Sequence, residues 1–270
     1  MYKIYNGDCL EVMDRLIEEG VKVDAIICDL PYGTTKAKWD IIIPFNELWL
    51  RYEKIIKKDG AIVLFGSQPF TSKLIMSKLD WFKEELIWEK DRASNFANAK
   101  YRHLKYHENI IVFSNGKFTY NRQMQIRKSE RVKQAIKNGN MNFRTTKKNG
   151  TEIAFSTDYE PRSFDVYDPN LKNPSSIIKT PIVVSTSKEK LPHPTQKSLK
   201  LMDYLIKTYT NEGDLILDNA MGVGSTIVSS LNNNRKAIGI ELDKNYFDIA
   251  KQRIEEAFFN AQNKEGALNE

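Results

Sequence analysis

Short runs of branched apolar residues alternate with helical patterns along this chain, and this alternation limits the possible folds more than any other feature of the sequence. Residues 24–28, 61–65 and 109–113 are apolar runs bounded by polar residues or glycine, which is typical of buried strands. Between the first two, residues 46–57 carry apolar side chains at helical spacing, with Asn46 available as the N-cap. This region therefore predicts a strand–helix–strand unit.

The last third of the chain repeats the alternation. The predicted elements are helices at residues 198–210, 225–232 and 245–259 and strands at residues 215–219 and 236–241. Parallel strands need long crossover connections, so this order predicts an α/β fold with a mostly parallel sheet and helices on both faces. The polar residues 261–270 are predicted to form a frayed tail.

The segment between these two regions has a different composition. Residues 116–150 contain ten basic residues against one acid, and residues 159–192 form an irregular stretch with five prolines. We therefore expect residues 116–192 to be an insertion between the halves of one α/β domain, residues 1–115 and 193–260. For the basic run, a solvated loop is the alternative interpretation.

The overall charge and the cysteine content limit the class of protein. The net charge of +6 favours a polyanionic partner. No stretch approaches the roughly 20 apolar residues that span a bilayer, and the first residues do not have the pattern of a signal peptide. The two cysteines, Cys9 and Cys28, form neither a disulfide framework nor a CxxC motif, which fits a reduced cytosol. We expect a cytoplasmic protein with no membrane partner.

The first motif with chemical meaning is Asp29-Leu30-Pro31-Tyr32, directly after a predicted strand. The lone pair of an exocyclic amino group is delocalised into its ring, and acceptors for both of its N–H bonds would localise it. The Asp29 carboxylate and the Leu30 carbonyl could supply them, Pro31 stiffens the pair, and Tyr32 could stack on a base. An ordinary proline turn is the alternative.

The second motif runs from a strand into a glycine-containing loop and then a helix, with Asp218, Gly222 and Gly224 at fixed spacing. Glycines let a cofactor approach the backbone, and Glu241 at the end of the next strand suits ribose hydroxyls. Dinucleotides bind similar loops, but Ile227 stands where their third glycine would fall. A third motif, residues 193–198, precedes a helix and is also explained by Ser198 as an N-cap.

Together these motifs resemble the amino-methyltransferases of DNA, in the order of that family's β group. The family's Asp-Pro-Pro-Tyr is similar to residues 29–32, its Asp-Pro-Phe-x-Gly-x-Gly to 218–224 and its His-Pro-Thr-Gln-Lys-Pro to 193–198. Residues 6–10, 65–67 and 107–110 are similar to further core segments. The chain departs from the family where Leu30 and Ser198 replace prolines and Ala220 replaces a phenylalanine.

The resemblance implies a Rossmann-like, site-specific DNA methyltransferase with a basic target-recognition insertion, prokaryotic or phage-encoded. Its cofactor would be S-adenosylmethionine, and its substrate would be N6 of an adenine flipped out of duplex DNA. Family enzymes that act on N4 of cytosine often carry serine at the position of Asp29, so the aspartate favours adenine. N4-cytosine methylation stays the alternative. A homodimer and a companion restriction endonuclease stay open.

The implied site residues fall into three groups. The catalytic group is Asp29, Leu30, Pro31 and Tyr32. The cofactor-binding group is Asp8, Cys9, Leu10, Asp29, Thr195, Lys197, Ser198, Asp218, Ala220, Gly222, Gly224, Ser225, Thr226 and Glu241. The DNA-binding group is Arg122, Arg127, Lys128, Arg131 and Arg144.

Several other functions are disfavoured by the residues. His103 and His107 have no further His or Cys nearby in sequence to complete a metal site. Cys28 does not follow a proline, as a nucleophile for cytosine C5 would. Protein and RNA amino-methyltransferases place a similar Asn/Asp-Pro-Pro-Tyr after the cofactor loop, opposite to the order here. A catalytically silent DNA-binding relative is disfavoured because Asp29 and Lys197 are present.

Overall fold

The computed structural model describes residues 1–34, 40–94, 96, 99–130, 134 and 170–268. They belong to two compact units, Met1–Asn121 with Ser175–Glu270, and Arg122–Pro174. The ends of the predicted insertion, residues 116–121 and 175–192, lie in the first unit. The functional division at residues 116 and 192 stays a prediction.

The first unit contains an eight-stranded sheet. In chain order its strands are β1 (Tyr2–Asn6), β2 (Val23–Cys28), β3 (Ile56–Gly66), β4 (Phe82–Ser94), β5 (Lys105–Phe113), β8 (Ile177–Lys179), β9 (Leu215–Asp218) and β10 (Lys236–Glu241). Their spatial order is β1-β10-β9-β2-β3-β5-β4-β8. Neighbours from β1 to β3 are parallel, β5 is antiparallel to both β3 and β4, and β8 is parallel to β4. The predicted α/β fold with a mostly parallel sheet is confirmed.

Six helices connect the strands in the described part of this unit. They are α1 (Cys9–Glu18), α2 (Phe45–Ile55), α3 (Phe70–Ser77), α4 (Leu199–Tyr209), α5 (Ser225–Asn232) and α6 (Lys244–Leu268). A 3₁₀ turn at Leu79–Trp81 precedes β4. None of the described helices is both long and apolar enough to cross a membrane.

Buried side chains pack on both faces of the sheet because alternate strand residues point in opposite directions. In β2, Ile26 belongs to the core formed with α1, α2 and α3, whereas Ile27 belongs to the core formed with α4. A third apolar cluster joins α5 and α6 to β10. At roughly 25 cal/mol per Å² of buried apolar surface, these clusters supply the main stabilising contribution to the fold.

Two predicted helix ends differ in the structure. Pro44 precedes α2 without a side-chain cap, and the Asn46 amide instead donates to Glu47 inside the first turn, so the predicted Asn46 cap is wrong. The last predicted helix ended at residue 259, whereas α6 continues to Leu268. Alanine, glutamine, lysine and glutamate follow in that stretch, and all four favour helix.

The second unit is described at residues 122–130, 134 and 170–174. Strands β6 (Gln125–Ile126) and β7 (Leu171–Lys172) pair antiparallel within it. The Arg127 guanidinium donates to the Leu171 carbonyl at 3.0 Å, which ties β6 to β7.

Candidate active site

A cavity of about 660 Å³ opens at the edge of the sheet where β2, β9 and β10 end. Its walls come from the segments after these strands, from the start of α1 and from the loop before α4. Ligands bind at the carboxyl ends of strands in open α/β sheets because the loops there diverge. The motifs around Asp29, Lys197 and Gly222 are far apart in sequence and line this one cavity.

The Asp29 turn follows β2 directly and places its carboxylate in the cavity. Oδ1 of Asp29 accepts a hydrogen bond from the Tyr32 hydroxyl at 2.5 Å, and Oδ2 pairs with the Lys197 ammonium. The Tyr32 ring packs 5.0 Å from Phe70, so one side of it is already supported. Leu30 is buried and Pro31 lines the wall. All four residues of the first motif therefore lie at the cavity.

Lys197 lies between two carboxylates. It pairs with Asp29 and also lies 3.3 Å from Oε2 of Glu108, whose Oε1 binds Lys90 at 2.5 Å. Desolvation raises the pKa of Asp29, and Glu108 adds to this, while Lys197 opposes it. Burial alone would raise the pKa of Glu108, but Lys197 and Lys90 together lower it. Burial opposes the charge of Lys197, yet the two acids hold its pKa above the ordinary value.

Sequence reasoning assigned no role to several residues that line this cavity. Glu108 and Lys90 stand on β5 and β4, and Trp88 and Lys105 lie beside them. Trp88 is buried, and it also lines the cavity. The antiparallel register places Trp88 opposite Glu108, and this pairing is not visible in the sequence. The resemblance of residues 107–110 to a core segment of the family was the signal that could have identified Glu108.

The loop after β9 forms the other side of the cavity. The Gly222 N–H donates to Oε2 of Glu241 at 2.9 Å, and the Asp243 N–H donates to Oε1 at 2.8 Å. Despite these bonds, burial raises the pKa of Glu241 to about 7. Burial likewise raises the pKa of Asp218 to about 6, and its carboxylate accepts from the Ala220 N–H at 3.1 Å.

Gly222 and Gly224 both have left-handed backbone conformations, with φ values of 53° and 79°. A Cβ on Gly222 would meet Nε2 of His193 at 3.1 Å, so the glycine keeps the wall open beside that ring. A Cβ on Gly224 would instead meet Ile254 of α6 at 2.9 Å. The packing of α5 on α6 thus explains this glycine, whereas the sequence interpretation was close approach of a cofactor.

His193 closes the cavity together with Tyr246, whose ring centroid lies 4.5 Å away. Burial and the neighbouring Lys197 lower the pKa of His193 to about 4. The imidazole is therefore neutral at pH 7, and it contributes a flat polar wall without charge.

The start of α1 completes the cavity. Asp8 is the N-cap of this helix, and its carboxylate accepts from the Leu10 N–H at 2.7 Å. Cys9 and Leu10 line the wall, and burial raises the pKa of the Cys9 thiol to about 11. Asn219 faces them, and its Nδ2 is buried without a hydrogen-bond partner among the described residues.

Most of the predicted site residues therefore meet at one place. Those that line the cavity are Asp8, Cys9, Leu10, Asp29, Leu30, Pro31, Tyr32, Thr195, Lys197, Asp218, Ala220, Gly222, Ser225, Thr226 and Glu241. Ser198 and Gly224 are not among the lining residues; Ser198 instead caps α4 and accepts from the Leu201 N–H. Their cofactor contacts stay predictions.

The predicted DNA-binding residues belong to the second unit. Arg122 and Lys128 are exposed there, and Arg127 is half-buried. Arg131 and Arg144 lie outside the described residues. Among the residues that the structure describes, no cluster of His, Cys, Asp and Glu could hold a metal ion.

The residues of the cavity fit a charged nucleoside such as S-adenosylmethionine. The unpaired Nδ2 of Asn219 needs an acceptor, the carboxylates of Glu241 and Asp218 can accept from hydroxyl or amino groups, and Gly222 leaves space beside His193. Acidic groups also suit the positive charge of a sulfonium or amino group.

Comparisons with known proteins agree with this geometry. The family model described as DNA methylase matches residues 23–252. The chain is 25% identical over 264 residues to the Type II methyltransferase M1.MboII of Moraxella bovis, covering 92% of this chain and 94% of the relative. It is 26% identical over 267 residues to the DNA adenine methyltransferase YhdJ of Escherichia coli (strain K12), covering 94% and 83%.

Solved structures show the same likeness. The M1.HpyAVI–SAM complex matches with a TM-score of 0.61 and 27% identity, covering 94% of this chain and 100% of that one. The cytosine-N4-specific PvuII DNA methyltransferase matches with a TM-score of 0.59 at 15% identity, covering 97% and 94%. At that identity the second likeness concerns the fold alone.

Proposed function

Because this chain belongs to the DNA methylase family, we propose that it transfers a methyl group from S-adenosylmethionine to N6 of adenine at a specific sequence in duplex DNA. The observation that carries the proposal is that Asp29, Gly222 and Glu241 line one cavity, so that a base and a nucleoside cofactor can meet there. YhdJ is named a DNA adenine methyltransferase, and M1.HpyAVI was solved with SAM, which supports both parts of the proposal.

In the proposed reaction, the Asp29 turn binds the target amino group. The Asp29 carboxylate and the Leu30 carbonyl accept hydrogen bonds from the two N–H groups of the target amine. These hydrogen bonds localise the nitrogen lone pair towards the methyl donor. Tyr32, supported from one side by Phe70, stacks on the flipped base and offsets part of the few kcal/mol that flipping costs. Lys197 holds the Asp29 carboxylate in place.

The cofactor side of the cavity is assigned to the loops after β1, β9 and β10. Glu241 accepts from ribose hydroxyls, and Cys9, Leu10 and Ala220 provide apolar surface for the adenine ring and the methionine chain. His193 is neutral and adds no charge that would repel the sulfonium. When bound, S-adenosylmethionine supplies an electrophilic methyl group on its positively charged sulfur.

The identity of the product tests the proposal. Purified chain, S-adenosylmethionine and unmethylated bacterial DNA are incubated, and the DNA is digested to nucleosides and analysed by mass spectrometry. We expect N6-methyladenine, and none when the cofactor is omitted. N4-methylcytosine without methyladenine would overturn the adenine assignment in favour of the N4-cytosine alternative. DNA binding without any methylated product would favour a silent relative.

The setting of the reaction is a further part of the proposal. The relatives come from bacteria, and the chain is proposed to act on DNA in a bacterial or phage-infected cytoplasm. Sedimentation velocity tests whether the chain forms a homodimer. Sequencing of the neighbouring genes tests whether a restriction endonuclease accompanies the chain.

A further inference from the structure

Four charged side chains form a row behind the first motif. Lys90 of β4 binds Glu108 of β5 at 2.5 Å, Glu108 lies 3.3 Å from Lys197, and Lys197 pairs with Asp29. Positive and negative groups alternate along the row. It brings together two strands, the loop before α4 and the turn after β2.

The inner part of the row is shielded from water. The side chains of Lys197, Lys90 and Glu108 are 8%, 9% and 15% exposed. The ring of Trp88 lies 5.0 Å from the Lys90 ammonium and 5.8 Å from that of Lys197. Solvent cannot replace a missing charge in such surroundings, so each group depends on its neighbours in the row.

Glu108 also has unused acceptor capacity. Its Oε1 binds Lys90, whereas Oε2 is buried without a hydrogen bond among the described residues and faces Lys197. Lys197 is thus shared by two carboxylates. If Lys197 neutralised Asp29 alone, the Asp29 oxygens would accept a proton less readily; the second carboxylate weakens that neutralisation.

We propose that Glu108 is a positioning residue that shares Lys197 with Asp29 and so keeps the Asp29 carboxylate able to accept the proton that leaves the methylated amino group. The inference rests on the proposed function. Lys90 has the complementary role, because it holds Glu108 and prevents it from taking Lys197 away from Asp29.

The proposed step balances as follows. The amino nitrogen forms a bond to the methyl carbon with its lone pair, and the carbon–sulfur bond breaks with its electron pair left on sulfur. The nitrogen, now positively charged, loses one proton to an oxygen of Asp29. Glu108 and Lys197 keep their protonation states and change only the affinity of Asp29 for that proton.

The charged and titratable neighbours of Asp29 have opposing effects on its pKa. Lys197 lowers the pKa of Asp29, whereas Glu108 raises it, and the Tyr32 hydroxyl lowers it through its hydrogen bond. Cys28 and Asp218 also lie close enough to interact with Asp29. Glu108 itself is faced by Lys197 and Lys90, and Lys105 lies within its field.

Two substitutions should move the acidity of Asp29 in opposite directions. Glu108→Gln removes a negative charge, so Asp29 becomes less basic and the acidic limb of the kcat–pH profile moves to lower pH. Lys90→Met removes a positive charge and leaves Glu108 to compete for Lys197, so the limb moves to higher pH. We expect each shift to be about half a pH unit or more. Glu89→Gln is the matched control, because Glu89 pairs with Lys179, whose side chain is 73% exposed. This substitution should not move the acidic limb of the profile.

A second measurement does not depend on turnover. The ¹³C NMR signal of the Asp29 carboxyl carbon is followed against pH in the protein without cofactor or DNA. The signal is assigned because it is missing from the spectrum of Asp29→Asn. The same opposite shifts are expected, with S-adenosylmethionine affinity within about twofold of wild type by calorimetry. If Glu108→Gln does not fold, as judged by thermal unfolding, Lys90→Met decides the question alone.

The outcomes separate this inference from the proposed function. Shifts of the same sign in both variants, or none, in a wild-type background that methylates adenine would overturn the role of Glu108. Opposite NMR shifts in a chain whose wild type forms no methyladenine would support the charge sharing, yet overturn the proposed function on which the proton transfer rests.

Discussion

Burial sets the charge of the side chains that matter most in the cavity. Asp29, Asp218 and Glu241 all have pKa values raised by desolvation, whereas His193 has a lowered one. Such groups gather at functional sites because a cavity that excludes water also strengthens electrostatic interactions with its ligand. The substitutions expected to separate binding from methyl transfer therefore lie among these residues.

Asp29→Ala should abolish methyl transfer while leaving cofactor binding in place. The carboxylate is assigned to the base's amino group, and its loss should lower the rate roughly 100-fold or more. Lys197 keeps Glu108 at 3.3 Å as a partner, so the substitution does not leave an isolated buried charge. Methyl incorporation and calorimetry with S-adenosylmethionine measure the two effects. Activity within a few-fold of wild type would remove Asp29 from the mechanism.

The affinity for S-adenosylmethionine should depend on pH through Glu241. Its carboxylate has a pKa of about 7, and ribose hydroxyls would bind its ionised form. Bound hydroxyls lower the pKa of Glu241, so the affinity for the cofactor is highest above about pH 7. Below the pKa of Glu241 the affinity decreases by about tenfold per pH unit. Calorimetry between pH 5.5 and 8.5 measures this slope. In Glu241→Gln the cofactor should bind more weakly, and its affinity should no longer depend on pH near pH 7. An unchanged pH dependence would show that another group titrates.

At the scale of elements, α5 and α6 hold the cofactor side of the cavity together. α5 starts directly after Gly224, and this glycine packs against Ile254 and Ala250 of α6. The position of the loop after β9 therefore depends on helix packing as well as on the loop's own conformation.

Gly224→Ala should destabilise the protein more than Gly213→Ala. Both glycines have left-handed φ values, so either alanine costs about 1 kcal/mol in backbone strain. A Cβ at Gly213 meets nothing within 4 Å, whereas at Gly224 it meets Ile254 at 2.9 Å and adds about 1–3 kcal/mol of overpacking. Urea unfolding of both variants measures the difference. Equal losses of stability would show that the Ile254 side chain of α6 moves to accommodate the extra methyl group without a further cost.

The elements that follow simple periodicity could be predicted from the sequence. The helix Ser225–Asn232 and the strand Lys236–Glu241 have the predicted bounds, because both are buried and sharply delimited by polar residues. β4 was not predicted, since charged residues such as Lys83, Glu85 and Glu89 interrupt its apolar pattern. This strand supplies Lys90, so the row behind Asp29 depends on a register that the sequence alone does not reveal.

The motif residues at the cavity were predictable for a related reason. Asp29, Asp218 and Glu241 end or follow parallel strands, and parallel strands bring their carboxyl ends to one edge. Tyr246 reaches the same cavity without any signal in the sequence, and Glu108 and Asn219 lie in segments that resemble the family but were assigned no role. Tyr246 lies on α6, and Glu108 lies on a strand whose antiparallel register the sequence alone does not reveal.

At the scale of the whole molecule, positive charge is concentrated in one segment of the sequence. The chain carries a net charge of +6, and residues 116–150 hold ten basic residues against one acid. Of the predicted DNA contacts, Arg122 and Lys128 are described and exposed, whereas Arg127 donates to the Leu171 carbonyl within its own unit. Substitution of Arg127 would therefore disturb the strand pair β6–β7 as well as the charge.

Arg122→Gln combined with Lys128→Gln should weaken DNA binding and reduce its salt dependence. Each phosphate contact releases counterions and contributes about 0.9 to the slope of log K against log salt concentration, so the loss of two contacts should reduce that slope by about 1.8. The matched control is Lys3→Gln with Lys236→Gln, which removes two exposed charges from β1 and β10 of the other unit and should leave the slope unchanged. Fluorescence anisotropy with a labelled duplex between 50 and 200 mM salt measures both. If the double variant in the second unit keeps the wild-type slope, Arg122 and Lys128 do not contact phosphate, and the basic segment returns to its alternative interpretation as a solvated loop.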